Sequence, residues 1–325
     1  MLPAFVTPAS AADKVNVGVL RFVSSGGLFL AQERGYFKDA GLDVNFKYFQ
    51  AAQPIAVAIA SGDLDFGATA ITAGTYNLAG KGVLKIIASQ GAERKGYDGT
   101  TVLASNTAFQ RGVTGFDKLA GTSVAVTQVG SSQHYMFGQI AEAEHLDLAK
   151  NNIKPLQGIA SMVAAIKTSQ VDVTLLPPQF AQPLVKSGDA HYLGLFSQIA
   201  DYQYGALFGS VKMVANNKDL VKRFVTAYQH GCSDYAKAFL QKDASGKPVV
   251  NDDTKAAAAL IAKYVFTSLP PDVATDKIIH SAVFVDASGK INLADIERQI
   301  QWYKSLKLVN PDVDAKAFVD QEFTK

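Results

Sequence analysis

Val15 to Leu20, with valines at every second position, reads as a buried strand, and the rhythm of apolar positions then changes twice before Phe46. Ser24-Ser25-Gly26-Gly27 precedes a helical stretch, Leu28 to Arg34, that stops at Gly35. A serine at such a start accepts from an orphan N–H of the first turn, and glycine tolerates the left-handed conformation that ends helices. Gly35 therefore closes the helix, Gly41 makes a corner, and "LDVNFKYF" opens a second strand with alternating apolar positions. The next helix takes Pro54 in its first turn, keeps Ile55, Ala58 and Ile59 on one face and ends at Ser61-Gly62. "DLDFGA" is a short strand, a third helix covers Ile71 to Ala79 and stops at Gly80, and "LKIIAS" is a further strand. Strand and helix alternating at this spacing predict parallel strands with helices on both faces.

The same order of signals returns past Asn106. "LAGTSVAVTQ" supplies a turn and a strand, Gly130-Ser131-Ser132 a cap, and Met136, Phe137, Ile140 and Ala141 one face of a helix running to "EHLDLA". "MVAAIKTSQVDVTLL" repeats the corner seen in "VAIASGDLDFGA": Ile166 matches Ile59, Thr168 matches Ser61, Val171 matches Leu64 and Asp172 matches Asp65, each 107 residues on. Leu146-Asp147 pairs with Leu42-Asp43. Two similar α/β units result, whether the likeness is a repeat or the common physics of such units. After Tyr204, "YGALFGSVKMVANN" reads as strands and a connector, and from Lys218 the chain is mainly helical. These helices need a surface to cover, and the first unit supplies it, which makes that unit discontinuous. Asp-Ala-Ser-Gly-Lys occurs at 243–247 and again at 286–290 and reads as two solvated turns.

Four stretches in register, "GLFLAQERGYFKDAGLDVNF", "AIASGDLDFGA", "LAGTSVAVTQVGSS" and "AAIKTSQVDVTLLPP", resemble the solute-binding proteins of ABC importers in the nitrate, sulfonate, taurine and thiamine-precursor group. The resemblance runs from about residue 15 to 230. It implies an α/β, two-lobed periplasmic-binding-protein fold of type II, each lobe a mixed, mostly parallel sheet with helices on both faces. On that basis residues 1–14 are a signal remnant or flexible N-terminus, 15–105 plus 208–325 form lobe I, and 106–207 form lobe II. The crossings are expected near Asn106 and Phe208. The implied role is hinge closure on a small-molecule ligand in the periplasm and its delivery to the membrane subunits of an ABC permease, without chemical change.

In open α/β sheets ligands sit at the carboxyl ends of strands, where loops and helix N-termini converge. Ser24, Ser25, Gly26 and Gly27 lie at such a place in the first unit, and Gly130, Ser131, Ser132 and Gln133 in the second. Glycine lets the backbone approach a ligand, and the N–H groups of the following helix carry partial positive charge. Thr69 and Thr72 belong to the same rim. In Pro177-Pro178-Gln179, either Gln179 reaches inward or Pro178 is a plain helix start. Arg21 and Arg94 each offer a planar fork for a carboxylate or sulfonate, and a solvated surface role fits either of them equally well. Phe22, His134, Tyr135, Tyr202 and Tyr204 either stack on a ring or fill core. The expected cargo is a small anionic organic solute, a sulfonate or a carboxylate, with a pyrimidine thiamine precursor as the alternative; in a different class, the alternative is a small-molecule-processing enzyme on the same fold.

Charge and composition remove other classes. The 325 residues carry 31 basic and 29 acidic side chains, scattered, for a net charge of +2, so no nucleic acid partner is expected. No apolar run reaches the roughly 18 to 20 residues that span a bilayer. "MLPAFVTPASAADK" sets Ala9, Ala11 and Ala12 before a charged pair, as at the end of a secretory signal, though a basic start and a full apolar region are missing. Cys232 is the single cysteine, which excludes an internal disulfide and a cysteine-based zinc site and reads as a small buried residue. The five histidines show no metal spacing, and no nucleophile elbow, phosphate loop or dinucleotide fingerprint occurs. Asp65 and Asp172 stand in equivalent places of separate units and read as structural. The sequence thus predicts a monomeric binding protein, with no catalytic residue, cofactor or metal and no DNA-binding element of a regulator.

Overall fold

The computed structural model describes residues 11–324. The signal-remnant reading falls mostly outside the described residues, and Asp13 and Lys14 already belong to the first strand. The strands, in chain order, are β1 (Asp13–Val19), β2 (Leu42–Tyr48), β3 (Phe66–Ala70), β4 (Leu84–Ser89), β5 (Thr101–Ser105), β6 (Ser123–Val126), β7 (Asn152–Pro155), β8 (Val173–Leu176), β9 (Ala190–Leu195) and β10 (Gly205–Ser210).

They form two five-stranded sheets, ordered β2-β1-β3-β10-β4 and β7-β6-β8-β5-β9. β1 is parallel to β2 and β3, and β6 is parallel to β7 and β8. β10 runs antiparallel to β3 and β4, and β5 runs antiparallel to β8 and β9. The parallel rule holds where a helix carries the chain from one strand to the next on the same sheet. β5 and β10 instead arrive from the other lobe, and each enters its new sheet from the opposite end. Central strands are apolar on both faces because helices cover both: Val17 and Val19 of β1 and all of Val173–Leu176 are buried.

The crossings come earlier in the chain than Asn106 and Phe208. Thr101–Ser105 already lies in the second sheet and Phe208 lies inside β10 of the first, so the chain crosses over residues 90–100 and 196–204. Asn106 marked a helix start: Ser105 Oγ accepts from Ala108 N and caps the short helix Asn106–Gln110. The two crossings touch in one antiparallel bridge, with Glu93 N donating to Tyr202 O at 2.7 Å and Tyr202 N donating to Glu93 O at 3.0 Å.

Local expectations are largely met. The helix Gly26–Glu33 ends ahead of Gly35 (φ +80°), a further turn of helix covers Tyr36–Asp39, and Gly41 (φ +72°) makes the corner into β2. Gly62 at φ +88° ends the helix Ala52–Ser61. The match of Leu146-Asp147 to Leu42-Asp43 is corrected. Asn45 pairs with Asn16, and Asn152 pairs with Ser123, so the second strands also correspond at 107 residues. Leu146-Asp147 precedes a short 3-10 turn, where Asp147 Oδ1 accepts from Ala149 N. The repeated pentapeptide forms the same Asx-type turn twice: Asp243 Oδ1 accepts from the N and Oγ of Ser245, and Asp286 Oδ1 from the N and Oγ of Ser288.

The helix Lys218–Phe239 packs along Gly26–Glu33, and Leu293–Ser305 lies against Ala73–Gly80 and Ser132–Ala143, one from each lobe. Cys232 is buried at the first of these contacts, against Gly27, and burial pushes its thiol up to about 12. No helix of the described residues is long and apolar enough to cross a membrane.

Candidate functional site

The carboxyl ends of the parallel strands of both sheets face each other across a cavity of about 70 Å³. Lobe I contributes Ser24, Ser25, Thr69 and Thr72, lobe II contributes Ser131, Ser132, Gln133 and Gln179, and the crossings contribute Gln90, Glu93, Thr100 and Tyr204. Leu20, Met136, Ile159, Leu175 and Val283 supply the apolar part of the wall.

Nine of the thirteen residues proposed from sequence line this cavity: Ser24, Ser25, Thr69, Thr72, Ser131, Ser132, Gln133, Gln179 and Tyr204. The other four do not. Arg21 points out, its guanidinium 3.6 Å above the Tyr48 ring and donating to Tyr264 O at 2.7 Å. A Cβ on Gly26 would meet Tyr235 and one on Gly27 would meet Cys232, so these glycines serve helix packing rather than approach to a ligand. His134 is turned to the protein: its Nδ1 accepts from Gly130 N at 3.1 Å, and its ring meets Trp302 edge to face. Burial brings its pKa down to about 4, so it is neutral near pH 7. Arg94 pairs with Asp201 at 2.9 Å, and Tyr135 and Tyr202 fill core.

The serines play different parts. Ser131 caps its helix, accepting from His134 N. Ser25 does not cap: Val23–Ser25 form a 3-10 turn, and Ser25 Oγ donates to Leu20 O at 3.2 Å and accepts from Gln90 Nε2 at 3.3 Å. Thr72 caps Ala73–Gly80 by accepting from Thr75 N, and its hydroxyl also donates to Gln53. Thr69 Oγ1, on the same wall, is buried without a partner among the described residues.

Gln179 reaches across the cleft. Its Oε1 accepts from Val23 N at 2.9 Å and its Nε2 donates to Arg21 O at 3.3 Å. Ala73 N donates to Gly130 O at 2.8 Å, Gln182 Nε2 donates to His280 O at 2.6 Å, and Phe22 meets Phe180 edge to face. The lobes are closed on each other.

Sequence reasoning missed Glu93, because "GAERKGYDG" read as a loop at the mouth, and with it Gln90 and Thr100, which flank that loop. Only knowing that this loop is a crossing would have turned Glu93 inward. Glu93 is 2% exposed, and its carboxylate accepts from Thr100 N and, at 2.6 Å, from Thr100 Oγ1. Burial raises its pKa to about 7, against the lowering effect of the Thr100 bonds.

A protein-family profile described as NMT1/THI5 like matches residues 23–238. No curated protein matches the chain in sequence. Among solved structures, the alkanesulfonate-binding protein SsuA from Xanthomonas axonopodis pv. citri, bound to MOPS, superposes with a TM-score of 0.73 at 17% identity, covering 96% of this chain and 100% of that one. The periplasmic nitrate-binding protein NrtA from Synechocystis gives a TM-score of 0.73 at 15% identity, covering 94% and 84%. The desulfurization enzyme DSZB has a similar fold, with a TM-score of 0.59 at 14% identity over 96% and 97% of the two chains.

Proposed function

Because the chain belongs to the NMT1/THI5-like family, we propose that it is the solute-binding component of an ABC import system, which closes on a small organic solute in the periplasm and hands it to a membrane permease. The observation that carries this reading is the divided cavity wall, half on each lobe, with Gln179 bonded across it. A ligand touching both halves has more contacts in the closed form than in the open one, and that difference is what shifts the population. The crossings at 90–100 and 196–204, joined by the Glu93–Tyr202 bridge, form the hinge.

Binding without chemistry fits the wall better than catalysis. The lone thiol, Cys232, is buried in the helical layer and does not line the cavity. Asp65 and Asp172 are spent on backbone bonds at the strand starts. Arg21 and Arg94, the two guanidinium forks offered for an anionic head group, both lie outside the cavity.

Native mass spectrometry of the purified protein tests the capture role, followed by a thermal-shift panel of sulfonates, carboxylates, amides, amidines and pyrimidines. We expect one class to raise the melting temperature, with a hundredfold excess over Kd adding about 2.7 kcal/mol. Ser132→Phe should abolish that shift with little change in the unliganded melting temperature. A panel with no binder, or a ligand held equally well by Ser132→Phe, contradicts the reading.

A further inference from the structure

Among the described residues the cavity wall carries one acidic side chain, Glu93, and no lysine, arginine or histidine. Glu93 has no ion-pair partner among those residues, since the neighbouring Arg94 turns outward to Asp201. The carboxylate is only partly satisfied. Its Oε1 takes the Thr100 hydroxyl at 2.6 Å and the Thr100 N–H at 3.0 Å, while Oε2 has only a share of that same N–H at 3.1 Å. An ionised carboxylate offers about four acceptor sites, so capacity remains on the Oε2 side. Gly99 packs directly against the carboxylate, since a Cβ there would lie 2.0 Å from Oε2, and the carboxylate meets the cavity beside it.

A second observation lies on the same wall. Thr69 Oγ1 is buried and has no partner among the described residues, although buried hydroxyls nearly always find one. A ligand group at this position would satisfy it. Around these polar atoms the wall is apolar, with Leu20, Met136, Leu175 and Val283, so a charge placed here gains little from water.

These features favour one kind of cargo. Above pH 7, where Glu93 is ionised, an anion would bring a second negative charge beside a buried carboxylate with no cationic side chain on the wall to offset either. A nitrogen group with N–H bonds would supply the donors that Oε2 lacks, and a cationic one would also pair the charge. Resting on the capture reading, we propose that the cleft selects a solute presenting N–H donors, of the amidine, amine or amide class, to Glu93, with Thr69 as a further polar contact, and that it rejects sulfonates and carboxylates.

Benzamidine, benzamide and benzoate test this, because they keep one ring and one planar head group while the charge runs from positive through neutral to negative. Isothermal titration of the wild-type protein at about pH 8.5, where Glu93 is ionised, should show benzamidine binding about tenfold or more tighter than benzamide, the size of a charge-assisted hydrogen bond, and no binding of benzoate. Glu93→Gln should bring benzamidine down to the affinity of benzamide. Benzoate binding as tightly as benzamidine overturns the proposal. So does an unchanged ranking in Glu93→Gln, or the failure of all three probes to bind. The wild-type ranking decides the matter even if Glu93→Gln folds poorly. The capture role is judged separately, by the mass and melting measurements on the broader panel.

Discussion

Asp65 and Asp172 occupy the same place in the two lobes: Oδ2 of each accepts, at 2.8 Å, the backbone N–H of the residue 49 positions earlier, Asn16 in β1 and Ser123 in β6. In each lobe that earlier residue's carbonyl accepts the aspartate N–H in return, at 3.0 and 3.1 Å. The pair of bonds ties the start of the third strand of each α/β unit to its first.

The two sites differ in support, and their stabilities should differ accordingly. Asp172 also accepts from Ser123 Oγ at 2.8 Å and pairs with Arg111, whereas Asp65 has the single backbone bond. Asp172→Ala should cost about 2 kcal/mol and Asp65→Ala about 1 kcal/mol, with the half-exposed arginine adding little. Urea midpoints measure both. Equal losses would mean that the additional partners of Asp172 contribute nothing.

The repeat was legible because it is written in residues that do the same work in both units, above all the aspartate that ties the third strand to the first, whereas the helix end ahead of it takes Gly62 at φ +88° in one lobe and Ser169 at φ +54° in the other. The rim serines, threonines and Gln179 were found by topology, since the carboxyl ends of parallel strands converge in any such sheet. Glu93 escaped because its place depends on a long-range fact, the antiparallel bridge between two segments more than a hundred residues apart. Local pattern carries no trace of such a pairing. Arg21 and His134 were misplaced for a related reason: residue type suggests a chemistry, but rotamer direction decides whether it faces the cleft. Tyr48 and Trp302 draw those two side chains away.

Gln179 acts as a latch as well as a wall. Its bond to Val23 N satisfies the backbone donor of a residue that is 1% exposed when the lobes are closed. Gln179→Ala leaves that donor unpaired only in the closed form, which should disfavour closure by about 1 to 2 kcal/mol, roughly tenfold in the open-to-closed ratio. Small-angle scattering should show a larger radius of gyration for the variant, with overall unfolding little changed. An unaltered scattering profile removes the latch.

Two buried groups give the stability opposite dependences on pH. Glu93 titrates at about 7 in the fold against 4.5 unfolded, so the unfolded chain ionises first and stability falls as pH rises from 4.5 to 7. His134 titrates at about 4 in the fold against 6.5 unfolded, so the unfolded chain takes the proton first and stability falls as pH drops from 6.5 to 4. Each amounts to about 3 kcal/mol, and between pH 4.5 and 6.5 they oppose each other. Urea titrations should therefore show a nearly level wild type in that window. Glu93→Gln should gain stability with rising pH up to about 6.5, and His134→Asn, whose amide oxygen can still accept from Gly130 N, should lose it up to about 7. Parallel curves for the two variants would show that neither group is buried in its stated charge state.

Gly231 tests the packing that sets lobe I. Gly to Ala inside a helix ordinarily gains about 1 kcal/mol through propensity. Here the new Cβ would stand 2.0 Å from Gly27 O and 2.9 Å from Ala31 N, where the helix Lys218–Phe239 crosses Gly26–Glu33. Both of those atoms are backbone, so the clash is relieved only by moving one helix off the other, and overpacking of this kind costs about 1 to 3 kcal/mol or more. The loss exceeds the gain, and Gly231→Ala should lower the urea midpoint. Because Gly26–Glu33 follows directly on Ser24 and Ser25 of the cavity wall, the same variant should also weaken ligand binding. A more stable Gly231→Ala would mean that the two helices are not in this close contact.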